Sequence, residues 1–285
     1  MKIARSIREL HEHYEHFKLK PTGFVPTMGA LHEGHLSLVA AALKECRITT
    51  VSIFVNPTQF NDKHDLENYP RTIDKDLGLL SGHLTEKDIV FIPSVEEIYP
   101  VPDTRLFNFR NLDKVMEGVH RPGHFNGVAQ VVSRLFDIVR PDMAYFGQKD
   151  FQQLTIIREL VRQTGDNVKI ISCPIIREND RLAMSSRNQL LEPQVRKNAG
   201  IIFDTISKSS QLLKTLEIDN IKKYVYNNIN LYPEFTVEYF EIADDIELKP
   251  VNSKSQMKKD RKYFACIAVK AGRIRLIDNV EIQLF

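Results

Sequence analysis

The stretch that decides the fold is Val25-Pro26-Thr27-Met28-Gly29-Ala30-Leu31-His32-Glu33-Gly34-His35. A short apolar strand at residues 23–25 leads into a glycine-containing turn, and the apolar spacing of residues 36–45 predicts a helix. A strand that enters a helix through such a turn is where an open α/β sheet binds its ligand. The N–H groups and partial positive charge of a helix N-terminus favour phosphate.

Outward from this stretch, short apolar runs alternate with helical patterns. The spacing predicts further strands at residues 48–55, 88–92, 143–146 and 168–173, and helices at residues 3–17, 73–80, 125–139 and 152–163. Alternation of this kind implies parallel strands joined by helical crossovers. The sequence therefore predicts an α/β fold with a Rossmann-like open parallel sheet and helices on both faces.

The pattern changes after Cys173. Helical spacing covers residues 195–213 and 218–229, and alternating apolar residues then cover 235–240, 263–269 and 274–277, with a turn at Ala271-Gly272. We expect residues 1–175 to form the Rossmann-like domain and residues 176–285 to form a smaller α+β C-terminal domain. The C-terminal domain contributes the loop Met184-Ser185-Ser186-Arg187.

The composition argues against several classes of protein. Lys and Arg number 39 and Asp and Glu 37, a net charge of +2 that is too balanced for a protein that coats nucleic acid. The longest purely aliphatic stretch, residues 38–43, is far shorter than the roughly 18 residues of a membrane span. The distant Cys46, Cys173 and Cys266 predict buried, reduced thiols in a cytoplasmic protein. We expect no nucleic-acid and no membrane partner.

The chemistry of the first motif centres on two histidines. His32 and His35 are three residues apart, so both lie on one face of the first helical turn and can donate to one anion. Gly29 and Gly34 remove side chains where a phosphate approaches the backbone. One alternative is that these are two unrelated surface histidines. A zinc site is a second alternative, but the sequence lacks the H-E-x-x-H spacing of such a site.

Two further segments follow predicted strands. Asn56 and Gln59 would project at one sheet edge, where neutral amides suit an uncharged, hydroxylated substrate; an Asx turn is the alternative for Asn56. In Gly147-Gln148-Lys149-Asp150, we expect the lysine to contact phosphate as a point charge and the aspartate to cap the next helix. Gln153 then lies one turn further on.

The loop at Ser185, Ser186 and Arg187 has two hydroxyls and a guanidinium, a good set for a polyphosphate. A local serine turn beside a surface arginine is the alternative interpretation. Arg121 and His124 have no substrate group assigned to them.

Taken in order, these segments resemble the pantothenate synthetase family, the ATP-dependent pantoate–β-alanine ligases of coenzyme A biosynthesis. The resemblance rests on residues 26–35, 54–60, 68–72, 121–128, 146–153 and 184–188. The His-x-Gly-His element by itself is shared with class I aminoacyl-tRNA synthetases and other nucleotidyltransferases. The full ordered set is much more specific.

The resemblance implies a two-step reaction. The carboxylate of pantoate attacks the α-phosphorus of ATP and releases pyrophosphate, and the amine of β-alanine then displaces AMP from pantoyl adenylate. His35 is implied as the general acid, with His32, Lys149 and Arg187 as further catalytic groups. The implied ATP-binding residues are Met28, Gly29, Ala30, Leu31, His32, Glu33, Gly34, His35, Gly147, Gln148, Lys149, Asp150, Ile176, Met184, Ser185, Ser186 and Arg187. Pantoate or β-alanine is implied to bind Gln59, Gln153 and Met28.

Adenylation needs no enzyme nucleophile, because the substrate carboxylate attacks by itself; the protein supplies in-line positioning and donors to the phosphates. We expect Mg²⁺ on the ATP phosphates with no direct protein ligand, since Mg²⁺ keeps several waters, and no organic prosthetic group. Asp74 and Asp76 are weak candidates for an outer-shell role. The resemblance also implies a homodimer. Two departures from the family pattern are Gln148, where many members are acidic, and Arg181, where glycine is expected.

Two other functions are compatible with the same nucleotide-binding half. One is another class I-type nucleotidyltransferase, such as a tRNA-charging or cytidylyltransferase relative, although the net charge of +2 argues against tRNA binding. The other is a non-catalytic nucleotide sensor on the same fold. The presence of both glutamines together with both phosphate-side loops disfavours a sensor.

Overall fold

The structure, a computed structural model, describes residues 1–60 and 63–283, and for residues 63–65 only the backbone. Its strands are β1 (Lys2–Ala4), β2 (Thr22–Thr27), β3 (Ile48–Ile53), β4 (Ile89–Phe91), β5 (Met143–Gly147), β6 (Lys169–Cys173), β7 (Phe235–Asp244), β8 (Tyr263–Ala271) and β9 (Ile274–Ile282). Its α-helices are α1 (Ile7–Phe17), α2 (Glu33–Glu45), α3 (Lys63–Asn68), α4 (Ile73–Ser81), α5 (Val95–Ile98), α6 (Glu117–His120), α7 (His124–Val139), α8 (Phe151–Thr164), α9 (Pro193–Asn198), α10 (Ile201–Ile206), α11 (Ser209–Leu212) and α12 (Ile218–Ile229).

The larger sheet has six parallel strands in the order β1-β4-β3-β2-β5-β6. β3 and then β4 follow β2 on one side of it, and β5 and then β6 follow on the other side of β2. The strand order therefore reverses between β2 and β5. Loops that follow these two strands lie at the switch point, where open α/β sheets bind ligands.

Helices cover both faces of this sheet, which confirms the predicted architecture. Successive residues of a strand point to opposite faces. Val25 of β2 belongs to a buried cluster that includes Val39 of α2. Its neighbour Phe24 contacts Phe136 of α7 edge-on, with ring centroids 6.4 Å apart.

The N-terminus differs from the predicted helix over residues 3–17. Residues 2–4 form β1, which pairs with β4 at the edge of the sheet. The helix starts at Ile7 because Ser6 and Glu9 form a capping box: Ser6 Oγ accepts from the Glu9 N–H at 3.2 Å, and the Glu9 carboxylate accepts from the Ser6 N–H at 3.3 Å. Helical spacing between Ile3 and Ile7 concealed this boundary.

The strand predicted to stop before Pro26 also continues further. β2 extends through Pro26 to Thr27, in register with β3. Its pairing with β5 covers only Gly23 and Phe24. Because proline lacks an N–H, it is tolerated where a strand is no longer paired on both sides.

The chain divides into two compact units. The first contains residues 1–109, 121–148 and 156–174, and the second contains residues 110–120, 149–155 and 175–285. In the second unit, β7, β8 and β9 form an antiparallel sheet. Glu117 from the 110–120 segment accepts two hydrogen bonds from Arg275 of β9 at 2.6 and 2.7 Å, and one from the hydroxyl of Tyr239 at 2.7 Å.

The single long helix predicted over residues 195–213 is wrong. The segment forms three short helices, α9, α10 and α11, although Val195, Ile202 and Ile206 are buried in one apolar cluster as their spacing indicated. Gly200 lies between α9 and α10. A Cβ at Gly200 would lie 2.6 Å from the carbonyl oxygen of Asp180, so the close approach of these two backbones requires glycine.

The three cysteines are buried and unpaired by disulfides, as predicted. Burial raises the pKa of each thiol. Within the part of the chain that the structure describes, no helix is long and apolar enough to cross a membrane.

Candidate active site

The loop after β2 has an unusual backbone. Gly29 and Ala30 both have positive φ, +81° and +49°, so the chain reverses through two consecutive left-handed residues. At Gly29 a Cβ would lie 3.0 Å from Cγ2 of Ile53 and 3.1 Å from Oδ2 of Asp76. Glycine is therefore needed there for its conformation and for its small size.

Most amides around this loop already donate within the protein. The N–H of Ala30 donates to Oδ2 of Asp76 at 2.9 Å, and the N–H of Leu31 donates to Oδ1 at 2.8 Å. The Gly34 N–H donates to Nδ1 of His32 at 3.1 Å. Other amides here that have acceptors belong to Gly29, His35 and Leu36. For these residues the expectation that the backbone offers free N–H groups to phosphate is wrong, because each of the amides already donates within the protein.

The two histidines lie together at the start of α2. His32 is the N-cap residue and both rings are half-buried, with centroids 4.1 Å apart and an interplanar angle of 36°. Because Nδ1 of a neutral His32 accepts the Gly34 N–H, its ring proton is on Nε2. The cap thus leaves His32 with an Nε2 donor.

Substitution of His32 separates its two hydrogen bonds. His32→Asn keeps an acceptor at the position of Nδ1 but has nothing at Nε2, whereas His32→Ala removes both. We expect the alanine variant to lose about 1 kcal/mol of stability from the missing cap, and the asparagine variant to retain it. Because the family resemblance implies that His32 is a catalytic group in adenylation, we expect both variants, which lack the Nε2 donor, to lose about 10²–10³ in adenylation rate. Thermal unfolding measures the change in stability, and ATP–pyrophosphate exchange measures the adenylation rate. Exchange at the wild-type rate in His32→Asn would contradict a catalytic role for the Nε2 donor.

The loop after β3 places Gln59 beside the first motif. Gln59 ends a short 3-10 helix, Pro57–Gln59, and its side-chain amide contacts the sulfur of Met28. Its carbonyl accepts from Nδ1 of His124 at 2.9 Å. At Gly127, one turn along α7 from His124, a Cβ would lie 2.3 Å from the carbonyl oxygen of Thr58. His124 and Gly127 therefore hold the Gln59 loop, a role that sequence reasoning missed although their i,i+3 spacing puts them on one helix face.

Asn56 is a turn residue whose side chain is engaged within the protein. It is buried, its Nδ2 donates to the carbonyl of Gly127 at 3.2 Å, and its Oδ1 accepts from the hydroxyl of Tyr99 at 3.0 Å and from the Thr58 N–H at 3.4 Å. The alternative interpretation as an Asx turn is therefore correct.

Gly147 and Gln148 follow β5, the neighbour of β2 at the switch point. A Cβ at Gly147 would meet no heavy atom within 4 Å among the described residues. Gln148 accepts from the hydroxyl of Ser172 at 2.8 Å through its side-chain oxygen. An acidic residue would accept this hydrogen bond equally well, so Gln148 keeps the contact that such a residue would make.

Lys149, in the second unit, lies in a framework of hydrogen bonds. Its carbonyl accepts from Nδ2 of Asn279 at 3.1 Å, and its Nζ lies 3.4 Å from Oδ1 of Asp150. The neighbouring Asp278 pairs with both terminal nitrogens of Arg177 at 2.7 and 2.9 Å. Burial raises the pKa of Asp278, and the Arg177 guanidinium opposes that rise.

The adjacent glutamines of α8 differ in their surroundings. Gln152 is buried; its Nε2 donates to the carbonyls of Leu112 and Val115 at 2.6 and 2.9 Å, and its Oε1 accepts from the Glu117 N–H at 2.9 Å. Gln152 therefore organises the 110–120 segment. Gln153, the predicted substrate ligand, is half-buried.

The second predicted phosphate loop is tied to Ile176. The Met184 N–H donates to the Ile176 carbonyl at 3.0 Å. Ser185 caps a 3-10 helix, Ser186–Leu190, by accepting from the Arg187 N–H at 3.3 Å. The structure therefore brings Ile176, Met184, Ser185, Ser186 and Arg187 into one segment, and the local serine turn is present.

Arg181 has φ +70°, which explains why glycine is expected at this position. The arginine is accommodated through its side chain, which pairs with Asp204 and lies over the ring of Phe203 at 5.7 Å. Among residues 1–60 and 63–283, no group of three or more His, Cys, Asp or Glu side chains could hold a metal ion.

Comparison with known proteins places the whole chain in one group. The model of the Pantoate-beta-alanine ligase family matches residues 2–281. The chain is 56% identical over 262 residues to the pantothenate synthetase of Azobacteroides pseudotrichonymphae, with 92% of each chain covered. It is 49% identical over 283 residues to that of Bacteroides fragilis, with 99% of each covered.

Solved structures agree with these relatives. The pantothenate synthetase of Thermus thermophilus matches with a TM-score of 0.90 and 36% identity, with 100% of both chains covered. The pantoate–β-alanine ligase of Francisella tularensis, complexed with β,γ-ATP and β-alanine, matches with a TM-score of 0.79 and 33% identity, covering 98% of this chain and 97% of that one.

Proposed function

The chain belongs to the pantoate–β-alanine ligase family, and from that premise we propose how its residues carry out the ATP-dependent condensation of pantoate with β-alanine. The products are pantothenate, AMP and pyrophosphate. The enzyme is thus an AMP-forming ligase that makes a C–N bond.

One observation carries the assignment of the site. The loops after three adjacent strands, β3, β2 and β5, bring the His32–His35 ring pair, the Met28–Gln59 contact and Gly147 to the switch point of the sheet. Open α/β sheets bind ligands at this position. A pair of histidines and a neutral amide on neighbouring loops suit a reaction between a phosphate and a hydroxylated carboxylate.

In the first step, a carboxylate oxygen of pantoate attacks the α-phosphorus of ATP. The bond from that phosphorus to the bridging oxygen breaks, and pyrophosphate leaves with growing negative charge. His35 donates a proton to the leaving group, and Nε2 of His32 donates a hydrogen bond to the phosphates. Lys149 and Arg187 supply positive charge. Such preorganised donors act where charge develops in the transition state.

ATP-binding residues are proposed in each unit. The residues that the family resemblance assigns to ATP are, in the first unit, Met28, Gly29, Ala30, Leu31, His32, Glu33, Gly34, His35, Gly147 and Gln148, and, in the second unit, Lys149, Asp150, Ile176, Met184, Ser185, Ser186 and Arg187. The dipole of α2 and the space at Gly147 support phosphate binding in the first unit.

Pantoate is assigned to Gln59, Gln153 and Met28. The thioether of Met28 offers apolar contact to the methyl groups of pantoate, and the amide beside it offers hydrogen bonds to the hydroxyls. In the second step, the amine of β-alanine attacks the acyl carbon of pantoyl adenylate and AMP leaves. No covalent bond to the enzyme is required in either step.

ATP enters the reaction as its magnesium complex. Mg²⁺ prefers oxygen ligands and keeps several waters, so the phosphates and water supply its coordination. By the family resemblance we further propose a homodimer, and the three buried thiols favour a cytoplasmic location. Apart from a second copy of the chain, the proposed partners are ATP, pantoate and β-alanine, without nucleic acid or membrane.

The products test the reaction. With ATP, Mg²⁺, pantoate and β-alanine, the purified protein should form AMP and pyrophosphate in equal amounts. Attack at the α-phosphorus releases the β- and γ-phosphates together as pyrophosphate, and the α-phosphate stays on the nucleoside that later leaves as AMP. ADP and phosphate in their place would contradict the adenylate route.

In the same assay, Gln59→Ala should raise the KM for pantoate with little change in the KM for ATP. A lost neutral hydrogen bond is worth about 0.5–1.5 kcal/mol. A rise in the KM for ATP without a rise in the KM for pantoate would contradict the role of Gln59.

A further inference from the structure

A buried carboxylate on α4 holds the loop that follows β2. Asp76 is fully buried, and each of its oxygens accepts a backbone amide of this loop, from Ala30 at 2.9 Å and from Leu31 at 2.8 Å. Oδ1 also accepts from the hydroxyl of Thr72 at 3.2 Å. The helix that carries Asp76, Ile73–Ser81, is distant from this loop in sequence.

The loop needs such a partner because of its backbone. Gly29 and the following Ala30 are both left-handed, and Ala30 has a Cβ that disfavours this conformation. Accepting two consecutive amides from the loop, Asp76 fixes the turn in this form and satisfies donors that would otherwise be buried without acceptors. Met28 precedes the strained pair and His32 follows it, so the same turn sets the position of both side chains.

We propose that Asp76 is a positioning residue for adenylation, acting through the residue 28–32 loop to place Met28 and His32. This inference rests on the role proposed above for His32. Both oxygens of Asp76 accept amides, so its contacts are those of a loop anchor and differ from the outer-shell magnesium role considered from the sequence. An amide side chain in its place has one oxygen and can serve only one of the two N–H groups.

Asp88 provides a matched control in the same unit. It is also fully buried, and its oxygens accept from the backbone amides of Thr49 and Thr85, both at 2.9 Å, and from the hydroxyl of Thr85 at 2.8 Å. Its hydrogen-bond pattern therefore repeats that of Asp76. It anchors β3 and the turn before β4, and neither of these two partners belongs to residues 28–35.

The experiment compares Asp76→Asn with Asp88→Asn. Each variant loses one charge-assisted hydrogen bond, so both should unfold at a Tm lower by roughly 3–12 °C. Only Asp76→Asn should slow pantoate-dependent ATP–pyrophosphate exchange, by about ten- to hundredfold. With prepared pantoyl adenylate and β-alanine, Asp76→Asn should lose less rate than in exchange, because pyrophosphate has already left and only the contact of Met28 with the pantoyl group still depends on the loop.

Equal slowing of exchange in both variants, or equal loss of both half-reactions in Asp76→Asn, would overturn the proposal, because a loss of fold affects all steps alike. If Asp76→Asn does not fold, Thr72→Ala and Thr85→Ala replace the pair, since each removes one hydroxyl donor to its aspartate. Of these two variants, only Thr72→Ala should then slow exchange, by about threefold. Unchanged exchange in Thr72→Ala would overturn the proposal.

His35→Ala in the same assays separates this inference from the proposed function. Impaired exchange in His35→Ala with normal exchange in Asp76→Asn would remove only the role of Asp76. Normal exchange in His35→Ala would remove the proposed acid, while impaired exchange in Asp76→Asn would still support the loop anchor.

Discussion

Replacement of His35 by alanine is expected to lower pantoate-dependent ATP–pyrophosphate exchange by about 10²–10³, the usual loss when one preorganised donor is removed. His35 lies in the first turn of α2, and its ring is 4.1 Å from that of His32, centroid to centroid. Negative charge grows on pyrophosphate as it leaves, so the helix dipole and the imidazole act mainly on the transition state. ATP binding should change far less than the rate.

Pantoyl adenylate is the control for His35. Given this intermediate and β-alanine, His35→Ala should recover most of its rate, because pyrophosphate has already left. Equal impairment with ATP and with pantoyl adenylate would show that His35 is structural or serves the second step, and the assignment as general acid would then be wrong.

The second large effect is expected at Lys149. Lys149→Ala should lower adenylation by about 10²–10³ and should also raise the KM for ATP, because a point charge binds the ground-state phosphates as well as the transition state. The side chain is 22% exposed, and its backbone carbonyl is held by Asn279. The hydrogen bond from Asn279 fixes the backbone of Lys149, and the exposure of the side chain allows the ammonium group to reach a ligand.

Lys262→Ala is the matched control for the loss of a lysine. Lys262 is 65% exposed and pairs with Glu281 at 3.1 Å on the surface of the second unit. Such pairs contribute about 0–1 kcal/mol, so the variant should bind and turn over ATP as the wild type does. A Lys149→Ala enzyme with normal KM for ATP and normal exchange would remove Lys149 from the phosphate-binding set.

Local patterns predict much of the fold because helices and strands have fixed periods. Short apolar runs between the helical segments predicted five of the six strands in the larger sheet. The amphipathic spacing located α2, α4, α7, α8 and α12 to within a few residues. Errors arose where spacing was ambiguous. Ile3 fits a helical repeat with Ile7, yet it lies in β1 because Ser6 caps the helix that follows.

The residue types of the candidate site could also be predicted from the sequence. Within the first unit, His32 and His35 were expected on one helix face, and the structure brings their rings together. Asn56 was assigned incorrectly because a turn residue and a substrate ligand look alike in a linear sequence. Its partners, the Gly127 carbonyl and the Tyr99 hydroxyl, are distant in the chain.

The sequence by itself therefore determined the parallel α/β architecture, the strand–turn–helix motif and the chemical groups available for adenylation, since these follow from local periodicity and side-chain chemistry. Only the tertiary structure decided which donors and acceptors of these loops are paired within the protein. The amides of Ala30 and Leu31 are taken by Asp76, and the carbonyl of Gln59 is held by His124. Hydrogen bonds between distant segments depend on how the chain folds back on itself, and no local pattern records them.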